Sequence, residues 1–347
     1  MARSLLIRFR GLSAVLLALA LTAVGVRTYL QADVISLIGT GTGPSTIVYI
    51  QPKTGVQEIA QTLREAGVIR SRWMFLALAY LQGSLTRLHA GEYEFPRGTS
   101  LLEILRKLEA GKVVTHQVTI PEGFTAQDIA RLLAGERLVD VDRFTALAKD
   151  AGFAEGVGVP AGTLEGYLFP DTYRLTRGMG EEEILRIMVA RFRQAVPNDI
   201  EVQAGQLGLD VHSVITLASM IEKEARLNSE RPLVAAVFYN RLRRHMPLQS
   251  DPTAVYGAVD PPHKITPLDL RRQSPYNTYL NAGLPPGPIS NPGLATIMAA
   301  LNPAHVDFLY FVAKNDGSHF FSRTLEEHSQ AVRKYQARSE GSANSGS

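Results

Sequence analysis

The stretch Val211 to Ala225, VHSVITLASMIEKEA, constrains the fold of this chain most strongly, because it reads as an amphipathic helix with a carboxylate on its apolar side. At about 100° per residue, with Ala218 at zero, Val214, Ile221 and Ala225 fall within about 60° on one side, and Val211 and Ile215 within about 60° on the other. Glu222 falls at about +40°, inside that stripe. Whatever surface covers the stripe therefore covers Glu222 as well. Lys223 and Glu224 fall at about 140° and about −120°, on flanks expected to face water. A carboxyl group in apolar surroundings loses the hydration of its charged form and holds its proton, the property that a general acid requires. The competing reading is a surface group that snorkels or pairs with Arg226, four residues on.

The remaining length is enough for two or three domains with a real core, since the chain has 347 residues. An apolar content of 45% with 20% charged residues is that of a globular protein. The net charge of +3, without a basic stripe interleaved with aromatics, argues against nucleic acid as a partner. The absence of cysteine excludes disulfides and thiolate metal sites but does not select a compartment. The N-terminus does. Arg3, Arg8 and Arg10 precede an uncharged run from Gly11 to Val26, which reaches Leu30 if Arg27 snorkels. A helix of about twenty residues spans about 30 Å, one hydrocarbon core. A cleaved signal peptide is the alternative. Arg27 and Tyr29 after the run, in place of a small-x-small cleavage site, favour an uncleaved anchor. Residues 1–10 are then expected in the cytoplasm, 11–30 across the inner membrane, and everything beyond on the outer side.

Residues 31–45, with Gly39, Gly41, Gly43 and Pro44, read as a flexible tether. The pattern then predicts a strand at Thr46 to Ile50 and a helix at Val56 to Ala66. A second helix follows at Arg72 to Gln82, almost uniformly apolar and expected to be buried on most sides, before a strand in GEYEF and a helix from about Ser100. Strand-helix-helix units of this size resemble LysM-type glycan-binding modules, and residues 46–115 look like one. A faint repeat follows: Ile50, Glu58, Ile59, Ala60 and Leu63 correspond to Ile120, Asp128, Ile129, Ala130 and Leu133. Leu164 to Leu175 reads as loop or irregular strand, Glu181 to Ala195 and Arg231 to Arg244 as helices, and Leu294 to Leu301 as a short helix. Met246 to Gly257 and Ser274 to Gly293 read as long polar loops, whose aromatic residues argue against disorder. Phe308 to Ala313 is expected as a buried strand, with a hairpin at Asn315 to Gly317 leading into HFFSR and a closing helix at Thr324 to Arg333. Residues 336–347 read as a disordered tail.

The segments ASMIEKEA, VFYNRL, MPLQSDPT, SPYNTYLNAGLPPGPISNPG and YFVAKNDGSHFFS, in that order, resemble the YceG-like family of endolytic murein transglycosylases. The resemblance covers about Thr46 to Tyr335. It implies an α+β fold, membrane-anchored, with the small LysM-like module followed by a mixed α/β catalytic domain at 116–335. It implies cleavage within peptidoglycan glycan strands near the membrane, with Glu222 as the catalytic acid/base. Two positions depart from the family pattern: His245 stands where Gly is common and Gln273 where Asp is common. Both concern the substrate groove rather than the reaction.

Such a reaction needs one carboxylate. It protonates the glycosidic oxygen and then takes the proton of the muramyl C6 hydroxyl, which closes a 1,6-anhydro ring; the intramolecular hydroxyl replaces a second catalytic group and a positioned water. Candidate sugar contacts are Asn240, Gln249, Ser250 and Asp251, with Tyr276, Asn277 and Tyr279 as an aromatic and amide platform. Each also has an ordinary structural reading: a helix-to-helix hydrogen bond for Asn240, a turn before Pro252 for Asp251, loop packing for the tyrosines. Glu165 and Asp171 are the candidates for a second carboxylate; read as loop-stabilising, they still keep a two-carboxylate muramidase-type hydrolase as an alternative. A catalytically silent glycan-binding scaffold is the other. No cofactor or metal is expected: the eight histidines are scattered, and no zinc, P-loop or dinucleotide motif occurs. The expected partners are peptidoglycan strands, the inner membrane and a peptidoglycan synthase.

Overall fold

The computed structural model describes residues 44–258, 265–314 and 316–342. The expected cytoplasmic terminus, membrane span and most of the tether lie outside the described residues, as does Asn315 of the expected hairpin. Among the described residues no helix is long and apolar enough to cross a membrane. The chain divides into two compact units.

The smaller unit runs to His116 and takes in Thr176–Gly178. It contains β1 (Thr46–Ile50), α1 (Val56–Glu65), α2 (Arg72–Leu81), β2 (Gly91–Phe95) and α3 (Leu101–Glu109). The two strands pair antiparallel, Thr46 opposite Phe95 and Ile50 opposite Gly91. Gly91, at φ +137°, is required by space as well as by backbone: a Cβ there would lie 2.4 Å from Val113 Cγ1. Ile50, Leu63, Phe75, Tyr93, Ile104 and Leu108 fill the core. α3 opens on a capping box, Ser100 accepting from the Glu103 N–H while Glu103 accepts from that of Ser100. The apolar helix α2 departs from expectation. Only Phe75 and Ala79 are buried, whereas Trp73, Tyr80 and Leu81 are 68%, 72% and 69% exposed. One small core covers a single side of a helix, so an apolar sequence does not by itself bury all of it.

The larger unit holds residues 117–175 and the chain from Met179 onward. Short strands β3 (His116–Thr119) and β4 (Thr172–Leu175) form one two-stranded sheet. The strand β4 lies in the stretch expected as irregular. Between them run α4 (Ala126–Gly135), α5 (Val141–Ala148) and α6 (Ala151–Gly156). The last two were hidden from periodicity by their shortness, but each starts at an aspartate, Asp140 or Asp150, that caps the third backbone N–H of its helix. The corresponding positions of the two helices are buried alike: Ile129, Ala130 and Leu133 of α4, and Ile59, Ala60 and Leu63 of α1.

Next come α7 (Glu181–Ala195), α8 (Ile200–Gln206), α9 (Val211–Glu224) and α10 (Arg231–Arg243). The expected polar loop from Met246 contains a short helix, α11 (Asp251–Val255), with Pro252 in its first turn where a proline is tolerated. The helix α12 (Leu294–Leu301) follows the long loop. A hairpin of β5 (Tyr310–Ala313) and β6 (His319–Ser322) pairs Tyr310 with Ser322. The last helix, α13 (Leu325–Ser342), continues into the stretch expected as a tail, since adding residues to an established helix costs little. The architecture is therefore α+β with three two-stranded sheets among the described residues, and no broad sheet of an α/β domain.

The centre of the unit is helical. Every residue of α9 from Val214 to Ile221 is buried, and so is every residue of α10 from Val234 to Arg241. α9 starts at Asp210, whose carboxylate accepts from the Ser213 N–H at 2.7 Å, and ends at Glu224, because Ala225 turns to extended backbone.

Candidate active site

The loop Pro286 to Gly293 is strapped along α9 for almost its whole length. At one end His212 Nε2 lies 3.2 Å from the Pro286 carbonyl. In the middle the Ile289 N–H donates to Ser219 Oγ at 2.9 Å and the Ser290 hydroxyl donates to the Ser219 carbonyl. At the other end the Gly293 N–H donates to Glu222 Oε2 at 3.0 Å. The strap delivers the N-terminus of α12 to Glu222.

Glu222 is held from three sides. The Thr296 hydroxyl donates to Oε2 at 2.6 Å and Arg231 Nη2 donates to Oε1 at 3.1 Å. Its side chain is 6% exposed and that of Arg231 8%. The positive end of α12 adds a favourable field for a carboxylate. The helical stripe therefore buries Glu222 as expected, but the carboxylate end sits among hydrogen-bond donors rather than in apolar surroundings. The ion-pair partner also differs. Arg226 is exposed, because the helix ends before it, and Arg231 of α10 takes its place.

A second acid, Glu122, shares that arginine, with Oε2 3.2 Å from Arg231 Nη2. It lies over the start of α12, where a Cβ on Gly293 would come within 1.9 Å of Glu122 Oε1. Glycine at 293 thus makes room for a carboxylate. The loop carrying Glu122 is itself fixed: the Gly123 N–H donates to the Asn291 carbonyl and the Asn291 N–H to the Phe124 carbonyl, both at 2.9 Å. Glu122, Arg231, Gly293 and Thr296 were not found from sequence. The only sequence signal for them is glycine at the end of the SNPG motif and an arginine opening a helix that continues with the apolar run PLVAAVFY.

The residues proposed as sugar contacts separate into two sets. Asn240 is buried and spends its amide on the carbonyls of Val306 and Phe308 at 2.9 and 2.8 Å. Asn277, fully buried, donates to the carbonyls of Leu270 and Arg272 and accepts from the Tyr279 N–H. Ser250 is buried, its hydroxyl donating to Glu224 at 2.5 Å. These three hold loops together. Gln249 and Asp251 are exposed and Tyr276 and Tyr279 half-buried; the Tyr279 hydroxyl donates to Asp251 Oδ1 at 2.5 Å. Tyr276 packs on Tyr256 with ring centroids 4.7 Å apart.

Two further glutamates are perturbed. Glu165 is buried and accepts from the Ala126 N–H, the Tyr256 hydroxyl and the Asn291 amide. Burial pushes its carboxyl up to about 7 against those donors. Asp171 is tied instead to Arg191 Nε at 2.5 Å, which holds its carboxyl below the ordinary value. Glu224, expected to face water, is pushed up to about 7 by burial, with Ser250 opposing and Asp251 adding to the shift. Lys223 is exposed as expected, whereas Glu224 is drawn in, because the helices and loops packed around α9 cover the flank on which it sits.

These shifts predict a pH dependence. Both folded-state values lie above the ordinary 4.5, so between 4.5 and about 7 the folded chain binds more protons than the unfolded one. Stability then falls as pH rises through that window, and the full cost is present above it. Glu224→Gln should remove one share, up to about 3 kcal/mol. Urea unfolding between pH 5 and pH 8 should show a growing advantage of the variant over the parent. An equal advantage at both pH values would refute the assignment.

A cleft of about 460 Å³ opens beside this region. Glu165, Tyr256 and Tyr276 line it together with Arg131, Lys149 and Lys223. Lys223 Nζ reaches the carbonyl of Gly123 at 3.4 Å, and Gly123 faces Glu222, where a Cβ would lie 3.5 Å from Glu222 Cγ. Among the described residues no group of three or more His, Asp or Glu is placed to hold a metal ion.

The YceG-like family model matches residues 48–334. The chain is 35% identical over 307 residues to the endolytic murein transglycosylase of Bacillus subtilis, covering 83% of this chain and 84% of that one. It is 32% identical over 320 residues to the endolytic murein transglycosylase of Streptococcus pneumoniae R6, covering 82% of this chain and 57% of the longer relative. The crystal structure of a yceG-like protein from Listeria monocytogenes superposes with a TM-score of 0.58 at 34% identity, covering 82% of this chain and 98% of that one.

Proposed function

The chain belongs to the YceG-like family, and on that premise we propose that it is an endolytic murein transglycosylase with Glu222 as its acid/base. The observation that carries the reading is the setting of Glu222: a nearly buried carboxylate, fixed by Gly293, Thr296 and Arg231, whose chain neighbour Lys223 lines an open cleft. A fixed carboxylate is what proton transfer needs, since the proton must move along one defined line.

In the reaction, the protonated Glu222 gives its proton to the glycosidic oxygen between N-acetylmuramic acid and N-acetylglucosamine, and that bond breaks. As carboxylate it then accepts the proton of the muramyl C6 hydroxyl, whose oxygen bonds to C1 of the same sugar. The products are a free 4-hydroxyl on one fragment and a 1,6-anhydro ring on the other, and no water is consumed. The Thr296 hydroxyl suits both stages, because it donates to a carboxylate and can turn to accept from a carboxylic acid. Arg231 stabilises the carboxylate left after the first transfer, and Glu122 shares its charge. Gln249, Asp251, Tyr276 and Tyr279 are assigned as sugar contacts, on loops braced by Asn240, Ser250 and Asn277.

The envelope setting follows the same reading. Residues 11–30 anchor the chain in the inner membrane, residues 46–115 act as a LysM-like glycan-holding module, and cleavage terminates strands emerging from a nearby synthase. A second reading, a two-carboxylate hydrolase, is favoured by one observation, the buried Glu165 on the wall of the cleft. The products distinguish them. Digestion of uncrosslinked glycan strands should yield anhydro-muramyl ends by mass spectrometry; reducing muramyl ends, two hydrogens and one oxygen heavier, would establish the hydrolase instead.

A further inference from the structure

The exposed face of α2 is the part of the molecule for which the reaction has no use. Trp73, Ala77 and Tyr80 recur at helical spacing on one side, with Leu81 beside them, and all four are exposed. Trp73 is the chain's single tryptophan. We propose that this face of α2 lies in the headgroup region of an anionic lipid bilayer, holding the smaller unit down on the membrane.

Three observations select the bilayer. The first is chemistry. The face offers aromatic and aliphatic groups without a side-chain amide or carboxylate among them, whereas a sugar-binding surface needs convergent polar groups to fix hydroxyls. Tryptophan and tyrosine bordered by leucine suit the boundary between headgroups and acyl chains. The second is charge. No acid occurs between Glu65 and Glu92, while Arg70 and Arg72 stand at the start of α2, and the Arg72 guanidinium lies 4.7 Å from the Trp73 ring centroid. Basic groups beside an apolar face are attracted to anionic headgroups. The third is reach. Residues 31–45 separate the proposed anchor from β1, and they extend at most about 50 Å. Whatever their conformation, these residues keep the unit within that distance of the bilayer. At that distance even a weak surface affinity is effective, because binding is intramolecular.

This inference rests on the reading of residues 11–30 as a membrane anchor, and the test separates the two. The full chain is reconstituted into vesicles of phosphatidylglycerol and phosphatidylethanolamine, with and without brominated acyl chains, and Trp73 emission is recorded after flotation. The expected result is co-flotation, a blue-shifted emission, loss of emission with the brominated lipid, and protection from iodide in solution. Tyr80→Glu combined with Leu81→Glu, two exposed positions, should restore iodide access while the chain still floats and unfolds at the parent temperature. A floating chain whose Trp73 is untouched by bromine and open to iodide overturns the proposal and leaves the anchor standing. Failure to float overturns both. Protection from iodide without bromine quenching, growing with the amount of protein per vesicle, would assign the face to a second copy of the chain and overturn the bilayer.

Discussion

Glu222→Gln should lower the rate of anhydro-muramyl release by about 10²- to 10⁴-fold, the usual worth of a positioned acid/base. Glutamine has the length and shape of glutamate, and its carbonyl oxygen can still accept from the Gly293 N–H and the Thr296 hydroxyl. Arg231 keeps Glu122 as a partner, so no buried charge is left alone. The substitution removes the transferable proton and keeps the bonds to Gly293 and Thr296, while its amide N–H groups face Arg231, which is left with Glu122. Single-turnover digestion of glycan strands, followed by chromatography of the muramyl products, measures the rate, and unfolding of the same sample checks that the fold is intact. A well-folded variant retaining a tenth or more of the parent rate, about 1.4 kcal/mol or less in barrier, would remove Glu222 from the chemistry.

The second large effect concerns a residue with no proposed contact with substrate. Asn291→Ala should destabilise the larger unit by about 2–5 kcal/mol, because it strands two buried backbone donors. Asn291 is fully buried, and its Oδ1 accepts from the N–H groups of both Gly166 and Leu168 at 2.9 Å. Its Nδ2 donates to the Phe124 carbonyl and to Glu165 Oε1, again at 2.9 Å. One side chain thus joins the strap along α9 to the loop of Glu122 and to the loop of Glu165. Gly166 cannot move aside: it has φ +90°, and a Cβ there would lie 2.4 Å from Pro288. Ser290→Ala, which removes one hydrogen bond of 3.2 Å, is the comparison and should cost about 1 kcal/mol. If the urea midpoints of the two variants coincide, the stapling role of Asn291 is wrong.

Both predictions draw on the same division of the molecule. Helices with a regular apolar period were legible: Glu181–Ala195 and Leu294–Leu301 form where the pattern predicts them. Glu222 was legible too, as a carboxylate inside the apolar stripe of α9. Its neighbours were not, because Glu122, Arg231, Gly293 and Thr296 reach it from three other segments, and no local period links them. The same holds for Glu224, which turns inward because the loop before α11 brings the Ser250 hydroxyl to it. In α2 the departure runs the other way: its sequence is apolar all round, yet the small core reaches only one face.

Residue spacing along the chain is enough to specify the longer periodic helices, which carboxylate a buried stripe carries, and, through the long loop motifs, the family. Those properties depend on residue spacing along one segment and survive any arrangement of the others. Only the tertiary structure decided what surrounds that carboxylate: an arginine shared with a second acid, a helix N-terminus delivered by a strap, and a hydroxyl able to donate or accept. Hydrogen bonds and ion pairs act over about 3 Å and are indifferent to separation along the chain, so their partners emerge only when distant segments are brought together.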